Sequence, residues 1–324
     1  MKKQSLINLI KAVSFLAVVT LSLLAVSYML APKDNTKESG IQNPNAHGFY
    51  SERENSVDVA VIGNSDAYSG FSPMELWNAY GYTSYVSAEG LQAPAASLAM
   101  LGRILSCQSP QVVILETDGF FTKTEVSKNV LDCFNAVMGE PFSVFRYHDR
   151  RKKVRPGELF KKPYYTAHCV SKGQMLSSTV VPYSGKEYMV ETDEEAKLPL
   201  STVIAVDEIR SMCEQRGILL LLVEMPSQSS WNYKKHNAVA AFAEERGLAF
   251  LDLNLSREAF DFDWETDSRD GGNHLNTAGA KKATLYLGEY LSELCALSDH
   301  RQDADYAPWN ADYRAYLIEA KIQP

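Results

Sequence analysis

The apolar positions divide the chain into three unlike stretches. From Ala12 to Ala31 it reads AVSFLAVVTLSLLAVSYMLA, 20 residues without a charge. At 1.5 Å rise per residue, a helix of that length spans the roughly 30 Å hydrocarbon core of a bilayer. Residues 32–56 are polar, carry Asn, Ser, Gly and Pro, and keep no sustained period, which predicts a linker. From Val57 onward, apolar runs of strand length alternate with segments of helical period. The strands are VDVAVI (57–62), TSYVS (83–87), QVVILE (111–116), GILLLLVE (217–224) and LAFLDL (248–253). The helices are a short one opening at Pro73, then 94–106, 201–216, 234–246 and 277–296. Near-continuous apolar strands between helices predict a parallel sheet covered on both faces. Five of them predict a doubly wound, three-layer, flavodoxin-like α/β domain over 57–300. Residues 118–200 interrupt the rhythm as an irregular insertion, and 301–324, with Trp309, Tyr313 and Tyr316, form a docking extension.

Charge assigns a topology to the first stretch. Lys2, Lys3 and Lys11 precede the apolar run and no acid does, so the positive-inside bias puts residues 1–11 in the cytoplasm and everything after Pro32 outside. A cleavable signal with Ala25-Val26-Ser27 as its small-residue site is the alternative. The apolar run continues past that site and exceeds the usual h-region, so an uncleaved anchor over 12–31 is expected. No Cys occurs before Cys107, which removes the lipoprotein route.

Composition then narrows the function. At 45% hydrophobic and 22% charged, the 324 residues are those of a globular chain, and the net charge of −8 argues against a nucleic-acid partner. Residues 1–33 hold four lysines and no acid, so the exported body carries −12. The five cysteines and six histidines form no C-x-x-C, H-x-H or H-E-x-x-H, so neither a metal nor another cofactor is expected. The runs HDRRKKVR (148–155) and ETDEE (191–195) fit solvated faces, with an anionic surface as the other partner open to the basic one.

Chemistry in a doubly wound sheet belongs beyond the carboxyl ends of the strands. The first strand ends in Gly63-Asn64-Ser65, where a serine is either a turn residue or an exposed nucleophile. Before the last helix stands Asp270-Gly271-Gly272-Asn273-His274. A His with an Asp four residues earlier has the parts of a general base and its orienter.

Together, VIGNSDAYSGFSP at the first strand and DSRDGGNHLNTAGAKKATLYLGEYL at the last helix resemble the SGNH/GDSL hydrolase superfamily. The likeness is to its membrane-anchored bacterial branch, similar to the D-alanine transfer proteins of teichoic acid modification and to polysaccharide O-acetylation proteins. It covers residues 57–292 and is poor over 118–200. The resemblance implies Ser65 as nucleophile, His274 as base and Asp270 as orienter, with the N–H groups of Ser65 and Gly90 in the oxyanion hole. Three departures accompany it. The usual Asp-x-x-His is stretched by one residue, leaving Asp267 in reserve. The oxyanion glycine is matched only by Gly90. The third-block Asn is replaced by Glu116-Thr117-Asp118-Gly119, so the Gln92 amide becomes the remaining side-chain donor. Trp231, Tyr233 and Asn64 are candidates for substrate contact, Glu224 is a candidate only if buried, and Pro226, Asp252 and Asn254 fit turn roles. The expected activity is that of an extracytoplasmic serine esterase or O-acyltransferase on acyl esters of a cell-envelope glycan or a small ester. The acidic approach from Glu258 to Asp270 favours a neutral or zwitterionic substrate. A non-catalytic envelope-assembly or glycan-binding protein of the same fold is the rival reading, and a peptidase a third.

Overall fold

The computed structural model of the chain describes residues 2–122, 134, 138–139, 142–152, 154 and 156–321. Its strands are β1 (Val59–Gly63), β2 (Ser84–Ala88), β3 (Val112–Glu116), β4 (Leu219–Glu224) and β5 (Ala249–Asp252). Its principal helices are α1 (Lys2–Leu30), α2 (Ser65–Gly70), α3 (Pro73–Tyr80), α4 (Pro94–Ile104), α5 (Leu200–Glu214), α6 (Tyr233–Arg246), α7 (Thr277–Leu294) and α8 (Ala307–Glu319). The strands pair in parallel in the order β2-β1-β3-β4-β5, which is the flavodoxin-like arrangement with its reversal between β1 and β3.

Alternation along β1 explains the two cores. Ala60 and Ile62 pack with Leu98, Val206, Ile209, Val239 and Phe242 of α4, α5 and α6. Val59 and Val61 turn to the other face, where Ala67, Leu76, Ala283, Leu287 and Leu291 of α2, α3 and α7 cover them. The unbroken apolar strands therefore fit a sheet that is dry on both sides.

The structure refines three expectations. The first helix begins at Lys2 rather than Ala12, because residues 2–11 contain no Gly or Pro to stop it; Gln4–Leu30 is long and apolar enough to cross a membrane. Residues 32–56 are not a free linker. Asn35 is buried and donates to the carbonyls of His47 and Ala167, while Ala46 and Phe49 enter the core against Tyr85. Two apolar side chains in a polar stretch are too few to register as a period.

The interruption carries no helix and no strand over 159–199, as expected of an irregular insertion. Its later part is an ordered brace: Lys172 O accepts from Val86 N beside edge strand β2, and Met175 N donates to Tyr68 O. Residues 177–183 then run along the segment before α7. Val181 N donates to Ser268 O, Tyr183 N to Trp264 O, and Thr277 N to Ser177 O. Lys172, fully buried, is held by Glu52 and by Asp312 of α8, each at 2.7 Å. The extension does dock, with Trp309 5.5 Å from Trp77 and the Tyr316 hydroxyl 3.1 Å from Ser72 Oγ. Within the basic run, Arg150 donates to Leu30 O at the end of α1, whereas Lys153 and Arg155 lie outside the described residues. So does Cys133. The four described cysteines are free, and burial pushes the Cys107 and Cys213 thiols up to about 12.

Candidate active site

The turn after β1 depends on one close approach. A side chain at Gly63 would meet Glu116 Cβ at 2.5 Å and Ala67 Cβ at 3.0 Å, so only glycine lets β1 leave the sheet beside β3. Asn64 then caps α2. Its Oδ1 accepts from Asp66 N at 2.8 Å, its Nδ2 donates to Asp118 Oδ2 at 2.8 Å, and its backbone N–H donates to Glu116 Oε2 at 3.0 Å. These bonds commit Asn64 to the turn rather than to substrate. They present Ser65, half-buried, as the first residue of α2, with no hydrogen bond to its hydroxyl among the described residues.

The extra residue between Asp270 and His274 is absorbed by two glycines with left-handed backbone, Gly271 at φ +81° and Gly272 at φ +104°. Ser268 Oγ accepts from Gly272 N, and the Gly272 carbonyl accepts from Gln228 N. The result is a double grip. Asp270 Oδ2 takes His274 Nδ1 at 2.6 Å, and Asp270 Oδ1 takes the backbone N–H of His274 at 2.8 Å. Burial acts to raise the Asp270 carboxyl, but these bonds outweigh it and hold the group below its ordinary value. The other imidazole nitrogen, Nε2, faces the first turn of α2 and stands 3.9 Å from Asp66 Oδ1. Among the described residues no hydrogen bond joins it to Ser65. Asp267 is engaged elsewhere: its Oδ2 takes Lys282 Nζ and Asp263 N, both at 2.8 Å.

The remaining candidates separate by exposure. Trp231 cannot stack on a sugar, because it is 2% exposed and donates from Nε1 to Asp252 Oδ2 at 2.9 Å. Tyr233 packs against His236 and the core. The Gln92 amide closes its own turn, accepting from Glu89 N and donating to Ser97 Oγ, so it is not a spare oxyanion donor. Gly90 is exposed and borders a cavity of about 430 Å³ shared with Tyr68, Gln174 and Met175; neither Ser65 nor His274 lines it. Asp252 and Asn254 organise the loop after β5, where Asn254 Oδ1 accepts from Ser227 N.

Solved structures similar to this chain share its α/β fold, at low scores. They include a lipolytic protein of the G-D-S-L family from Desulfitobacterium hafniense DCB-2, at TM-score 0.38 and 13% identity, covering 71% of this chain and 97% of that one. An acylhydrolase from Bacteroides fragilis NCTC 9343 gives TM-score 0.39 at 11% identity over 77% of this chain and 94% of its own. A GDSL-like lipase from Bacteroides thetaiotaomicron VPI-5482 gives 0.38 at 9% over 77% and 96%. No family profile matches the chain, and no curated protein matches its sequence.

Glu224 meets the burial condition set for it, and what sequence reasoning missed is that it gathers with other acids beside Ser65. Asp66 lies in the first turn of α2 after β1, Glu116 ends β3 with Asp118 two residues beyond it, and Glu224 ends β4. Burial first, then the charge of Asp118, pushes Glu116 up to about 8. Burial and the neighbouring carboxylates likewise raise Asp66 and Glu224 well above the ordinary carboxyl range. Lys235 Nζ approaches Asp118 Oδ1 at 3.6 Å. A search by His and Cys spacing passes over carboxylates contributed one strand at a time.

Proposed function

We propose that the chain is a membrane-anchored serine ester hydrolase or O-acyltransferase. The observation that carries this reading is the double grip of Asp270 on His274, which fixes the ring with Nδ1–H toward the carboxylate and Nε2 toward the turn that bears Ser65. In the reaction, His274 Nε2 takes the Ser65 proton as Oγ adds to the ester carbonyl, and Asp270 stabilises the imidazolium. The tetrahedral intermediate collapses to an acyl-serine, and the proton passes from His274 to the departing alkoxide. Water, or a sugar hydroxyl, then gives its proton to His274 and takes the acyl group, and His274 returns that proton to Ser65 Oγ as it departs. The N–H groups of Ser65 and Gly90 hold the oxyanion, and the cavity beside Gly90 takes one arm of the ester.

The substrate is an acyl ester of a cell-envelope glycan or a small ester, neutral or zwitterionic to suit the acidic loop before His274. The body lies outside the membrane, with the N-terminus inside. That orientation rests on the charge bias of α1, with Lys2, Lys3 and Lys11 at its start and no acid before Pro32; at its far end Tyr28 donates to the Lys161 carbonyl beside exposed Phe160 and Tyr164.

The non-catalytic rival draws on the missing Ser65–His274 hydrogen bond and on acids standing where an amide donor is expected. A fluorophosphonate probe on the full chain in detergent separates the two. Labelling of the wild type that disappears in Ser65→Ala is the expected result, and equal labelling of both, or of neither, supports the rival.

A further inference from the structure

We propose that Asp66, Asp118 and Glu224 form a binding site for a divalent cation of calcium size. One carboxylate oxygen from each lies within 4.8 Å of the others, although the residues come from three different strand ends. Calcium bonds oxygen at about 2.3–2.6 Å, so two ligands on opposite sides of it stand about 5 Å apart, and the group can close on the ion without rebuilding the turns. Magnesium, at about 2.0–2.1 Å, requires the three to contract. With oxygen donors only, the set favours a hard cation over zinc or copper.

A group of acids is common without an ion, and the decisive observation here is an oxygen without a partner. Glu224 is fully buried; its Oε2 takes the Thr117 hydroxyl at 2.6 Å, while its Oε1 has no hydrogen-bond partner among the described residues. Asp66, 3% exposed, also accepts no side-chain hydrogen bond among them. Asp118 keeps Oδ1 free of hydrogen bonds, since Asn64 occupies Oδ2 and Lys235 stops at 3.6 Å. Glu116 is different, because both its oxygens accept backbone N–H groups, from Asn64 and Asp118. It therefore supports the turn from behind instead of ligating. Lys235 and Arg269 face four carboxyls that repel one another, and a dication relieves that repulsion.

The position gives the ion a use. It sits beside the first turn of α2, where β3 carries acids in place of the amide donor expected there, and its charge would favour an oxyanion forming at Ser65. That use rests on the serine-hydrolase reading; binding of the ion does not.

The test uses the full chain in detergent, stripped with EDTA and titrated with calcium chloride by calorimetry, with terbium luminescence and thermal melting alongside. One calcium per chain and a rise in Tm are expected. Asp118→Asn and Glu224→Gln should each bind at least about tenfold more weakly, while Ser65→Ala binds normally. No saturable uptake by the wild type up to about 10 mM, well above the weakest extracellular calcium sites, overturns the proposal. Unchanged affinity in both carboxyl variants overturns it as well. Glu224→Gln keeps an acceptor for Thr117, and circular dichroism of each variant guards against misfolding. Calcium uptake without Ser65-dependent labelling leaves this site standing and removes the hydrolase reading; labelling without uptake does the reverse.

Discussion

Asp267 and Asp270 are three residues apart in one acidic loop, yet they bond to different partners. Asp267 is buried and ties Lys282 of α7 to the loop, whereas Asp270 is partly open and bonds only to the loop that carries His274. Their amide variants should therefore diverge. Asp270→Asn is expected to lower the Ser65-dependent acyl-transfer rate about 10³- to 10⁴-fold with little change in Tm, because an amide can orient the wrong imidazole tautomer. Asp267→Asn is expected to keep the rate and lower stability by about 1–3 kcal/mol, the value of a charged hydrogen bond with a buried acceptor. Probe-labelling kinetics and thermal melts on the pair of variants check both. Equal loss of rate in the two would move the orienting role from Asp270 to the loop as a whole. The glycines decide which acid reaches the ring: with Gly271 and Gly272 both at positive φ, the carboxylate four residues back meets Nδ1.

Among the elements, the 3₁₀ segment Asn45–Ser51 carries a buried histidine. His47 Nδ1 meets the Asn43 carbonyl at 2.9 Å and Nε2 meets Arg103 at 2.5 Å, and burial, then the Arg103 charge, lowers the ring to about 3. A depressed value means that the native state must keep the ring neutral while the unfolded chain protonates near 6.5. The stability it contributes is present above pH 6.5 and drains away as pH falls toward 3, at about 1.4 kcal/mol per pH unit. His47→Gln is expected to flatten the acid limb of Tm against pH, which thermal melts from pH 7 to 4 will measure. This segment was also the least legible. The five strands were visible to within two residues, because β1, β3 and β4 are runs of Val, Ile and Leu and all five stand between segments of helical period or polar turns. The pairing of Asp270 with His274 was visible because glycines and loop polarity mark that turn. Residues 32–56 were not, since Asn35, His47 and Phe49 bury themselves through contacts more than 30 residues away, with Tyr85, Arg103 and Ala167. The carboxyl cluster was hidden for the same reason, each acid lying on a separate strand end.

At the scale of the molecule, one apolar helix and a body of −12 charge meet beside exposed Phe160 and Tyr164. The full chain is expected to sediment with membranes and to resist extraction by salt or carbonate, while a chain lacking residues 1–31 should leave the membrane fraction; fractionation with each extractant checks it. Retention of the shortened chain would transfer the anchoring to the body itself. The brace along the His274 loop has a further consequence, for the growing polypeptide. Strands β1, β2 and β3, with the serine turn between them, are complete within the first 116 residues. Residues 177–183 emerge next, and the N–H groups of Ser177 and Val181 have no partners until Thr277 and Ser268 follow almost a hundred residues later. The turn that holds Ser65 can therefore form during synthesis, and the loop that holds His274 closes only near its end. A chain cut short before residue 270 would carry the turn of Ser65 without Asp270 or His274.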